Sequence, residues 1–346
     1  MNSRSTLALG ALLAFSLSAC GGGSHGASAV PNGTADTGKT RSPRSGGTNF
    51  YWCTFYQTNP VNQWFCKIGN AQLSGSASAV QTQSDGYTAY LGANAGVPNA
   101  NEYPTPFNPS TPNFDASTVP TAFSSYESWI DANAWWRGNP GPTDAGIGEP
   151  KDAANAIVGL VGAWQAGAND GATLLQYARE AGDYLVYTQN AAGAGNYPYP
   201  SGGNGTDRSA HDTLLKQAGE VNPPWTLLTN GWFTADMGWG GMQYDNGLAG
   251  TAILDLYAAT GDTTYLASAQ QAGDWTLTQP IVPNWNYNAF SVYFLAHLYA
   301  ATGDQRYLND AKTRTELGIL PNQLQSGTYK GRWADQHNAR LVYHYI

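Results

Sequence analysis

Apolar residues along this chain change their spacing near residue 121. From there on they recur at helical intervals, and the pattern predicts helices near 122–136, 150–166, 171–190, 209–220, 244–260, 263–278, 286–302, 304–317 and 333–346. The 244–260 stretch shows the rule best. Leu248, Ala252, Leu256 and Ala259 fall on one stripe at steps of four, four and three, as a half-buried helix requires. Asp245 and Asn246 stand where that helix would begin, and Gly261 where it would end. Ahead of it, from Trp225, the chain is aromatic, Gly-rich and irregular. Residues 49–120 differ again. Clusters of Pro, Asn and Ser predict a loop-rich region with short strands and no long helix. Residues 20–48, rich in Gly, Ser, Thr and Ala, read as a flexible tether.

The helical part repeats itself. LYAATGDTTYL at 256–266 returns as LYAATGDQRYL at 298–308, a period of about 42 residues. A weaker echo links AGDYLVYTQ at 181–189 with AGDWTLTQ at 272–279. Gly261-Asp262 and Gly303-Asp304 each end one helix and start the next. The other connections are long and full of Trp, Tyr, Asn and Asp: 138–150, 191–208, 223–245, 279–286 and 318–333. Helical hairpins of this period stack into an array or ring, with tight turns on one side and long loops on the other.

On the pattern YDNGLAGTAILDLYAATGDTTYLASAQQAGDW, and over about 150–346, the chain resembles the six-hairpin glycosidase superfamily. The resemblance implies an all-α fold, an α/α toroid, as a catalytic domain over 121–346. A full ring of that kind needs twelve helices, against about nine read here. The ring is therefore incomplete, or helix 122–136 fills a gap in it, or it continues past residue 346. The resemblance also implies a substrate cleft at the rim where inner helices start. Helix N-termini independently present free N–H groups and positive potential there.

Two constellations fall at those starts. The first is Asp236 and Asp245, with Trp232, Trp239 and Tyr244 around them and Trp285 and Tyr287 at the next helix start. Glycosidic cleavage needs one carboxyl to protonate the leaving oxygen and another to attack or activate water. The indoles of Trp232 and Trp239 would form a stacking floor. The plainer reading makes Asp245 an N-cap and Asp236 a turn residue. Glu149, ahead of Pro150, suits a helix's first turn and is a further carboxylate. The second constellation is RWADQHNARLVYHYI, with Asp335 beside Trp333, His337, Arg340 and His344 at helical spacing. Two imidazoles and a guanidinium on an inner helix would line the cleft; on a surface helix they are only solvated. Such groups also suit a lyase, which must neutralise a uronate carboxylate before removing the adjacent proton.

Composition narrows the partners. There are 16 Lys and Arg against 24 Asp and Glu, for a net charge of -8, which speaks against nucleic acid. The 12 Trp and 21 Tyr suit flat hydroxylated ligands. Over 49–346 no Gly-x-Ser-x-Gly elbow, phosphate loop or dinucleotide fingerprint is present, and neither a cofactor nor a metal is expected. Residues 1–19 read as an export signal, with Arg4 before an apolar run over 7–17. The sequence Leu-Ser-Ala-Cys at 17–20 resembles a bacterial lipobox. This implies lipidation of Cys20 and anchoring to a membrane in the periplasm or at the cell surface. Cys53 and Cys66 are then an even pair in an exported chain, and a disulfide on a two-stranded ribbon is expected. The expectation is a glycoside hydrolase of extracellular poly- or oligosaccharides. The alternatives are a polysaccharide lyase using His337, Arg340 and a Tyr, and a non-catalytic glycan-binding lipoprotein.

Overall fold

The computed structural model describes residue 53 and residues 60–94, 119–144, 146–167, 171–201, 228–235, 240–325, 330–331, 333–335 and 340–342. The export signal, Cys20, the tether and helix 209–220 lie outside the described residues. The fold is mostly helical.

Its centre is three helical hairpins. Helices α4 (Pro150–Gln165) and α5 (Gly171–Ala192) form the first, α6 (Gly241–Thr260) and α7 (Thr263–Thr278) the second, α8 (Trp285–Thr302) and α9 (Gln305–Arg314) the third. Helix α6 packs on α4 at one side and α8 at the other, so α4, α6 and α8 form an inner row. The row is parallel and close. A Cβ on Gly247 would stand 2.7 Å from the Phe290 carbonyl oxygen, and Gly250 meets the Phe294 ring one turn further on. Because α6 is enclosed by neighbours, its buried residues run nearly all round it rather than along one stripe.

The repeated text explains the turns and the locks between hairpins. Gly261 and Gly303 both end their helices at φ 71°, a left-handed conformation that glycine adopts without Cβ strain. Asp262 and Asp304 then cap the next helices, each accepting at 2.9 Å from the N–H two residues on. Gly182 on α5 receives Leu256 and Tyr265 of the following hairpin, and the Tyr265 hydroxyl donates to Asp183 at 2.7 Å. Gly273 on α7 receives Leu298 and Tyr307 in the same way, and Tyr307 donates to Asp274 at 3.1 Å. The Ala-Gly-Asp of one outer helix is the socket; the Leu and Tyr of the next LYAATGD copy are the plug.

Two expectations are corrected. Residues 49–120 were expected to be loops and short strands, yet they contain α1 (Pro60–Leu73) and α2 (Ala77–Asn94). Phe65, Ile68 and Gln72 are buried on one helix face, and Val80, Ser84 and Tyr87 on the other. The apolar signal was thin because polar side chains hold part of this interface. Gln72 donates to the carbonyls of Val282 and Leu317 at 3.1 and 3.3 Å, and Ser84 pairs with Asn322 at 3.1 Å. These bonds fasten α1 and α2 to the third hairpin. The Cys53–Cys66 disulfide is formed, but Cys66 lies on α1 rather than on a ribbon. A further helix, α3 (Val119–Asn133), packs beside α4.

The second correction concerns 333–346, expected to be helical. Trp333–Asp335 and Arg340–Val342 are antiparallel strands, with Asp335 opposite Arg340. Tertiary anchoring overrides the helical spacing here. The Trp333 indole N–H donates to the Ile319 carbonyl at 2.9 Å, and its ring sits 5.8 Å from that of Trp285. A small three-stranded sheet precedes α6, ordered Tyr199–Pro200, Trp232–Phe233, Leu228–Thr229. Its hairpin turns on Asn230 and Gly231, at φ 51° and 84°, the left-handed pair that such a turn demands.

Candidate active site

The long connections end at the starts of the inner helices, so those starts share one rim. Helix α4 brings Glu149, Lys151 and Asp152 there. Helix α6 brings Tyr244 and Asp245, and α8 brings Tyr287 and Phe290.

Asp245 does not cap its helix. Helix α6 begins five residues earlier than the cap reading requires, at Gly241, after its N-cap Gly240 at φ 82°. That glycine is pressed between Val282 and the Tyr287 ring, where any Cβ would collide. Asp245 therefore lies in the second turn and is only 2% exposed. Its neighbour Asn246 is wholly structural: it accepts from the Tyr197 N–H at 3.1 Å and donates to Ala272 and Thr276.

The environment of Asp245 resists a negative charge. Burial, followed by the Glu149 carboxylate and more weakly by Asp152, pushes its carboxyl up to about 8. Lys151 and a hydrogen bond from Tyr199 oppose this without cancelling it. Its Oδ2 is buried with no hydrogen-bond partner among the described residues. Glu149, itself buried, forms an ion pair with Lys151. Asp152 accepts from the Glu149 backbone N–H at 3.1 Å, which fixes the start of α4. The site thus holds a carboxyl that stays protonated at neutral pH beside the Glu149–Lys151 ion pair. A buried carboxyl that keeps its proton has the property a general acid needs.

Aromatic rings form the wall. Tyr244 lies 5.5 Å from Tyr287 and 4.3 Å, edge-on, from Phe290. Burial and the nearby Asp245 raise the Tyr244 phenol above its ordinary range.

The other expected residues divide. Trp232 and Trp285, 1% and 2% exposed, are core side chains and present no face to a ligand, so the expected stacking floor loses Trp232. Trp333 is tied to Ile319 and Trp285. Asp335 and Arg340 are register partners on two antiparallel strands, so Trp333 and Arg340 do not share the expected helix face. Asp236, Trp239 and His337 lie outside the described residues. Sequence reasoning missed Lys151 and Tyr199. Lys151 had a signal, standing between two acidic residues in Glu149-Pro150-Lys151-Asp152. Tyr199 had none, since it reaches α6 through a two-residue strand 46 positions upstream of Asp245 in numbering. Among the described residues no cluster of His, Cys, Asp and Glu could hold a metal ion, and no helix is long and apolar enough to cross a membrane.

No family model, no curated protein and no solved structure matches this chain.

Proposed function

We propose that the chain is a carbohydrate-active enzyme, a glycoside hydrolase of poly- or oligosaccharides, built on an α/α array of the toroid kind. The observation that carries this reading is Asp245, a buried carboxyl lifted to about 8 next to the Glu149–Lys151 pair. Asp245 donates its proton to the departing glycosidic oxygen. A second carboxylate, Glu149 or Asp236, attacks the anomeric carbon or activates water. The inner-helix rim supplies aromatic walls, and the acidic surface suits substrates without negative charge.

The test is Asp245→Asn with the pH profile of the parent. Turnover requires protonated Asp245, so the alkaline limb of kcat/KM should fall as pH rises through about 8. The substitution removes the transferable proton and should lower kcat by about 100-fold to 10,000-fold. Unchanged turnover in Asp245→Asn overturns the assignment. Release of unsaturated, ultraviolet-absorbing uronates would instead establish the lyase. That reading has lost the helix on which His337 and Arg340 were to meet.

A further inference from the structure

Outside the carboxylate cluster, an open hollow of about 800 Å³ lies between α3, the 134–148 connection and the first turns of α4. That volume is in the range of small-ligand sites. Its outer wall is a pair of rings. Tyr126 lies on Gly159 of α4, where its ring passes 2.9 Å from the place a Cβ would take. Trp129 stacks alongside Tyr126 at 6.3 Å and 14°, and it is 57% exposed. Tyr126 thus backs Trp129 with a fixed surface, while Trp129 offers a large flat face to solvent. The inner wall is Trp135, held edge-on by Tyr184 at 5.1 Å and Trp136 at 5.5 Å. Trp136 brings to the same wall a buried indole N–H with no acceptor among the described residues.

The charged side chains in the lining are acidic. Asp131 and Asp152 contribute carboxyl groups and Asn155 an amide; Asp131 is ion-paired with Arg137 at 2.8 Å, and no Lys or Arg is itself among the lining residues. Asp152 also stands at the start of α4 beside Glu149, from whose backbone N–H it accepts at 3.1 Å. Flat aromatic faces, an amide and carboxylate acceptors match the CH face and hydroxyl edge of a pyranose. With no Lys or Arg in the lining, a uronate carboxylate finds no lining cation to pair with.

We propose that this hollow is a second carbohydrate-binding position, taking an uncharged pyranose ring stacked on Trp129 and leading toward Asp245. The identity of the ligand as a sugar rests on the hydrolase reading; the location and the charge selection rest on the hollow itself.

The probes are cellohexaose, mannohexaose and maltohexaose, with a hexamer of galacturonate as the charged comparison, measured by titration calorimetry. At least one neutral hexasaccharide should bind the parent, and the galacturonate hexamer should not. Trp129→Ala should weaken that binding about tenfold, and Trp129→Phe, which keeps a flat face, no more than about threefold. Trp129 is exposed, so neither change threatens the fold; thermal melts check this, and Trp129→Gln replaces Trp129→Ala if that variant melts early. If no neutral hexasaccharide binds the parent, or if loss of the ring leaves affinity unchanged, the proposal is overturned. The two readings separate through Asp245→Asn. Binding kept with turnover lost supports both. Turnover kept in Asp245→Asn, with binding lost in Trp129→Ala, removes the catalytic assignment and leaves the hollow standing. Turnover lost in Asp245→Asn with unaltered affinity in Trp129→Ala does the reverse.

Discussion

Arg314 is fully buried, and every direction of its guanidinium is answered. It donates to Asp310 at 2.9 Å, to the Gln243 side chain at 2.9 Å and to the carbonyls of Thr276 and Gln279 at 2.8 and 3.0 Å. Three helices and the connection before α8 are thereby held beneath the rim. Removing one member of such a pair leaves a buried charge uncompensated. Arg314→Ala should cost about 3–5 kcal/mol in urea unfolding, and Arg314→Lys should recover little, because an ammonium cannot fill the fork. Asp245 works in the opposite sense. Its folded value near 8 lies above the unfolded carboxyl value. The unfolded chain therefore loses this proton first, and stability falls between about pH 4 and pH 8, by about 1.4 kcal/mol for each unit of elevation. Asp245→Asn should thus melt higher than the parent at pH 8 while being catalytically poor, and the two should converge near pH 4. A variant that melts lower at pH 8 would show that Asp245 is not held neutral.

At the scale of elements, the socket-and-plug contacts join the hairpins. Gly182→Ala would drive a methyl into Leu256, and Gly273→Ala into Leu298. Each should cost about 1–3 kcal/mol by overpacking, measurable as a lower urea midpoint. Tyr307→Phe, which only deletes the bond to Asp274, should cost about 1 kcal/mol or less. Helices α4 to α9 were legible in the sequence because each carries periodic apolar positions, and two of them, α6 and α8, end on Gly followed by Asp. Helices α1 and α2 were not, because Gln72 and Ser84 stand at buried positions where a pattern reader expects apolar side chains. The 333–346 stretch misled for the converse reason. Its side chains recur at helical spacing, but Trp333 is claimed by Ile319 and Trp285, and a ribbon satisfies that contact. Local periodicity cannot report a demand made by distant residues.

For the whole molecule, the asymmetry of connections is the organising fact. Tight turns close one end of the inner row, and long connections build the other, where Asp245 meets Glu149, Lys151 and Tyr199. The sequence revealed that end, and Asp245 within it, through loop length and residue type. It could not reveal which carboxylates approach Asp245, because that depends on how α4 and α6 lie together. Nor could it show that Trp232 and Trp285 are core, since an indole in a loop looks the same whether it faces ligand or interior. The export reading has its own test. If Cys20 carries lipid, cells fed an alkyne-labelled fatty acid should yield labelled protein in the membrane fraction, and Cys20→Ala should yield neither label nor membrane retention.

The socket occurs on α5 and α7, but at the matching place after α9 the Ala-Gly-Asp triplet gives way to Arg314, Thr315 and Glu316, where the helix widens into a π-turn over Thr315–Ile319. The socket glycine is not repeated there, and α2 docks on that turn and the one following it. The array therefore carries its own stop mark. Upstream of that mark the joints are interchangeable: a second copy of 241–282, spliced in after residue 282, would find Gly273 waiting and would offer an identical seat to Leu298. Tandem duplication at that point would widen the mouth by one unit, with the first Gly273 seating the copied Leu256 and the second seating Leu298.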